Sequence, residues 1–112
     1  MSTVNPKKGE DNIFVSKRLK EFFDKQDMTV RDRRIVDNFI AMVYCNGLHS
    51  AIGAKGEDRE RIDTAALQNR HILKSLRNAR QAKYRTLGFL GNLCPHHITD
   101  FYLLLMKLKS KQ

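Results

Sequence analysis

Apolar residues recur along this chain at helical spacing, and nowhere do they alternate with polar ones over a strand length. Val15, Leu19, Phe22 and Phe23 fall at i, i+4, i+7 and i+8, which predicts a first helix capped by Asp11 or Asn12. Residues 26–28 read as a short connection. Thr29 to Asp32 then forms a capping pattern ahead of Ile35, Val36, Phe39, Ile40, Met42 and Val43. A second, deeply buried helix is expected there, closed by Asn46 and Gly47. Gly53 and Gly56 interrupt the next stretch, and residues 56–61 predict a charged turn or short helix. Asp63 or Thr64 caps a long helix running to about Thr86, with Gly88 beyond its end. After a turn at residues 91–94, Pro95 suits the first position of a final helix, because it lacks the amide hydrogen that would go unpaired there. The expected fold is all-α: four to five helices in one compact domain over residues 12–112, preceded by a flexible polar arm over residues 1–11.

Of the 112 residues, 41% are hydrophobic, enough for a core and too many for a disordered basic tail. No apolar run, Phe101 to Met106 included, approaches the length of a membrane span. The amino-terminal stretch has no apolar core of the secretory type, so a cytoplasmic location is expected, or a nuclear one in a eukaryotic or viral setting. The two cysteines are then expected to be reduced.

The formal net charge is +9, and its distribution is uneven. Residues 1–63 hold 12 basic and 11 acidic side chains, whereas residues 64–112 hold nine basic ones against Asp100 alone. No carboxylate occurs from Thr64 to Thr99. Solvated helices ordinarily mix signs, so an acid-free stretch points to an acidic partner. Advancing 100° per residue along the predicted 64–86 helix places Ala65, Ile72, Leu73, Leu76, Ala79 and Leu87 on one apolar side. Arg70, Lys74, Arg77, Gln81 and Arg85 form a stripe opposite, with Asn78 and His71 flanking it. Arg80 and Lys83 return toward the apolar side, where they must snorkel unless the helix bends or ends early.

Such a stripe fits the major groove of duplex DNA, with cations on phosphates and amides on base edges. The expected nucleic-acid-binding residues are therefore Arg70, Lys74, Arg77, Asn78, Arg80, Gln81, Lys83 and Arg85. Taking residues 48–56 as the turn of a helix-turn-helix leaves a link too long for that motif, so a basic helix on a bundle is expected instead. Six consecutive apolar residues cover every side of the last helix, so one face needs a partner. A homodimer interface is expected at Phe101, Tyr102, Leu104, Leu105 and Leu108.

Cys45, His49, Cys94 and His97 could in principle supply four zinc ligands, but neither half carries a standard spacing, and no metal is expected. Cys94 beside His96 and His97 lacks any orienting third residue. The glycines around Lys55 do not make a phosphate loop. No enzyme activity and no cofactor are expected. The function expected is that of a small nucleic-acid-binding protein, a DNA-binding transcriptional regulator favouring duplex DNA over RNA. The alternative is an adaptor or inhibitor docking its basic surface on an acidic protein, with no membrane partner in either case.

Overall fold

Six α-helices and two 3₁₀ turns account for nearly all of residues 6–110, which the computed structural model describes. The first three are α1 (Pro6–Asp24), α2 (Val30–His49) and α3 (Glu57–Gln68). A 3₁₀ turn, Arg70–Ile72, runs directly into the short α4 (Leu73–Arg77). After a four-residue turn comes α5 (Ala82–Leu93), then a second 3₁₀ turn, Pro95–His97, and α6 (Ile98–Ser110). The domain is all-α, as expected, with no strand among the described residues. Because α1 starts at Pro6, residues 6–11 of the expected arm are helical; residues 1–5 lie outside the described residues.

Local chemistry explains most boundaries. Thr29 Oγ1 accepts the Asp32 amide at 3.1 Å, so the capping pattern read from sequence starts α2. Gly56, at φ +58°, occupies a backbone region that favours glycine, and Glu57, Asp58 and Glu60 follow in the positively polarised first turn of α3.

The core is built from Ile40, Ala41, Tyr44, Cys45 and Leu48 of α2 against Ile13, Ala66, Ile72, Leu76 and Leu87. Tyr44 donates its hydroxyl to the Ala66 carbonyl at 3.0 Å, so the largest core side chain buries no unsatisfied oxygen.

Two expected faces are displaced. α2 does not stop at Asn46 and Gly47 but continues to His49, because Gly47 is a crossing point. A Cβ there would meet the Gly9 carbonyl at 2.7 Å, and one on Gly9 would meet the Gly47 carbonyl at 2.9 Å. This close approach turns Gly9, Ile13, Ser16 and Lys20 of α1 inward, at i, i+4, i+7 and i+11. Val15 and Phe22, on the apolar face read from the sequence, are exposed. On α2 the inward set is Asp37, Ile40, Ala41, Tyr44, Cys45 and Leu48, which leaves Ile35, Phe39 and Met42 facing solvent.

The long 64–86 helix is also corrected. It breaks at Asn69 and again over residues 78–81. Asn69 turns its own amide back onto the Ala65 carbonyl at 2.8 Å, a local bond that competes with helix continuation. Gly88 does not close a helix; it lies inside α5 at the crossing with α4, where a Cβ would stand 2.8 Å from the Arg77 backbone nitrogen.

Candidate nucleic-acid interface

The second break creates the candidate site. Ala79 N–H donates to the Leu76 carbonyl at 3.1 Å, ending α4, and Gln81 adopts an extended conformation that resets the chain direction. α2 braces this corner from below. Asn38 Oδ1 accepts the Gln81 amide at 2.9 Å, and Asn78 Nδ2 donates to Asp37 Oδ2 at 2.8 Å. Asp37 is buried, and its other oxygen accepts Arg33 Nε at 3.1 Å. From above, one nitrogen of Arg85 donates to the carbonyls of Ala79 (3.0 Å) and Arg80 (2.6 Å). Asn78, Gln81 and Arg85, expected to reach a ligand, are thus engaged in holding the corner.

The remaining cations face solvent. Arg70, Lys74 and Arg77 are exposed on the one continuous turn from the 3₁₀ segment through α4, retaining the i, i+4, i+7 spacing. Arg80 sits in the turn and Lys83 on the first turn of α5. In an unbroken helix both would point inward; the break exposes them. None of these five forms an ion pair among the described residues, whereas Lys20, Arg33, Arg59 and Arg61 all do. Lys83 Nζ lies 5.0 Å from the centre of the Tyr84 ring.

Tertiary structure changes the charge pattern in two ways. Near Lys74 the surface is mixed, because Asp24 and Asp37 line the same cavity as Lys20, Lys74 and Asn78. Beyond the corner it gains cations. Arg31 and Arg34 of α2 share a helical face with Asn38, which contacts Gln81, and neither is in an ion pair among the described residues. Sequence reasoning missed them because they belong to a half whose charges nearly cancel. The signal is that Arg33, between them, is the arginine that pairs with Asp24 and Asp37.

The His71 imidazole, beside this surface, is pushed below the ordinary histidine value by desolvation and by the neighbouring Lys20 and Lys17 ammonium groups.

The other expected groups are dispersed or rearranged. Phe101, Tyr102 and Leu105 are half-buried against the core, while Leu104 and Leu108, at 52% and 54% exposure, form the open part of α6. Cys45 is buried and Cys94 exposed, both as free thiols, and His97 Nδ1 lies 3.2 Å from Asp100. No group of three or more candidate metal ligands converges among the described residues, so the Cys45, His49, Cys94 and His97 set is not assembled. No described helix is long and apolar enough to cross a membrane.

Comparison with known proteins yields no match, whether to a family model, a curated protein or a solved structure.

Proposed function

We propose that the protein binds duplex DNA through the α4–α5 corner, with Arg70, Arg77, Arg80 and Lys83 on phosphates, Lys74 at the margin, and Arg34 extending the surface. The observation that carries this reading is the set of exposed, unpaired cations on two helices joined by a four-residue turn that α2 holds rigid. A turn of that length joins the helices of DNA-reading pairs. The positively polarised start of α5, with no acid in its first turn, adds to the same field. A transcriptional regulator is the role such a small binding module most naturally serves. Leu104 and Leu108 offer the seam through which two copies would pair corners on a two-fold site.

Fluorescence anisotropy with a labelled duplex tests the proposal. Binding at low salt that is lost in an Arg77→Ala/Arg80→Ala variant is expected. No binding at low salt contradicts it.

One observation favours the alternative reading, docking on an acidic protein. Ile35, Phe39 and Met42 are exposed at i, i+4 and i+7 on α2, beside Arg34. An acidic amphipathic partner would cover apolar and basic groups together. Phe39→Ser separates the two: DNA contact through phosphates tolerates it, whereas a protein complex seated on this stripe loses affinity.

A further inference from the structure

A second feature lies where α2, α5 and α6 meet. A cavity of about 590 Å³ opens there, within the range that small-molecule sites occupy. Its floor is Cys45, Tyr84 and Leu87, all buried, and Leu105 and Met106 of α6 form an apolar wall. The rim is polar. His49 Nδ1 and the Tyr102 hydroxyl are 3.0 Å apart, joining α2 to α6 across the wall, and the Lys83 side chain stands at the α5 edge. Among the described residues no carboxylate lines the cavity, and Lys83 is the one lysine or arginine that does.

The chemistry of the walls is that of binding. Burial pushes the Cys45 thiol up to about 12 and the Tyr102 phenol up to about 12, so neither ionises near neutral pH. A buried neutral thiol is a poor nucleophile. What remains is a largely apolar pocket with hydrogen-bonding groups and the Lys83 cation at its edge. Such a site selects an amphipathic molecule by placing its hydrocarbon against leucine, methionine and tyrosine, and its negative end against the ammonium.

We propose that this cavity binds a small amphipathic carboxylate, with its apolar body between α5 and α6 and its acid group at Lys83. A cationic or uncharged molecule of the same shape lacks the second contact.

The chain has four methionines, at positions 1, 28, 42 and 106. Met106 lines the cavity, and Met28 sits before α2, about a helix length from the Cys45–His49 end. Protein carrying ¹³C-methyl methionine is titrated with decanoate below its micelle threshold, and separately with decanol. Saturable movement of the Met106 methyl signal without movement of Met28 is expected, with decanoate binding more tightly than decanol. Lys83 is exposed, so Lys83→Gln keeps the fold; it should weaken decanoate about fivefold and leave decanol unchanged. A static Met106 signal, equal movement of Met28, or decanoate affinity indifferent to Lys83→Gln overturns the proposal.

Discussion

Asn78 in the α4–α5 turn donates to Asp37 of α2 at 2.8 Å, across 41 residues of sequence. Asp37 is 3% exposed and accepts Arg33 with its other oxygen, so both carboxylate oxygens are satisfied within the fold. Asp37→Ala removes both bonds and leaves the Asn78 amide unpaired in a part-buried setting. A loss of about 2 kcal/mol in unfolding free energy is expected, read from the urea midpoint at constant slope. Asn78→Ala should cost less, about 1 kcal/mol, because Arg33 still compensates the charge.

The α4–α5 crossing depends on the absence of a side chain at Gly88. A Cβ there would stand 2.8 Å from the Arg77 nitrogen and 2.9 Å from Leu76 Cβ, and neither atom is the free end of a flexible chain. Gly88→Ala would favour helix by propensity in an isolated peptide, yet here it forces α4 and α5 apart. The predicted outcome is destabilisation of about 1–3 kcal/mol, with faster amide exchange concentrated over residues 73–90. Unchanged or raised stability would contradict the close crossing.

Acid sensitivity is predicted at the α3–α6 contact. The Arg59 guanidinium, and then His97, hold the Asp100 carboxyl below the usual carboxylate range. Arg59 Nη2 is 2.5 Å from Asp100 Oδ1. A depressed folded-state pKa means that the unfolded chain takes up the proton more readily. The stabilisation is therefore complete above the ordinary aspartate value near pH 4 and disappears as pH falls through the lower, folded-state value. Because the pair is exposed, its size is about 0.5 kcal/mol. Thermal melts should place wild type slightly above Asp100→Asn at pH 6, with the gap closing toward pH 2.

Much of the fold was legible from periodicity and punctuation. The helix start at Thr29, the connection after α1 and the helical class all follow from local signals, because caps and spacing act within a few residues. Faces were harder to read. Val15, Phe22, Ile35, Phe39 and Met42 are apolar at helical spacing yet exposed, since the Gly9–Gly47 crossing fixes which side of α1 and α2 turns inward. Nothing in either segment alone specifies that meeting. The 64–86 helix failed for the same reason. Its second break is held by Asp37 and Asn38, partners about 40 residues away, and only the inward turn of Arg80 and Lys83 hinted that a straight helix was untenable. Of the stripe, Arg70, Lys74 and Arg77 keep their common face; Gln81 and Arg85 became part of the scaffold.

The dependence of DNA affinity on salt tests the central claim most directly. Each phosphate neutralised contributes about 0.9 to the slope of log K against log salt concentration. Engagement through four to five cations of the corner predicts a wild-type slope of about −4, reduced in magnitude by about 2 in Arg77→Ala/Arg80→Ala, with fold and melting temperature retained because both side chains are exposed. A slope near zero, or one that the double substitution leaves unchanged, would contradict binding at this corner.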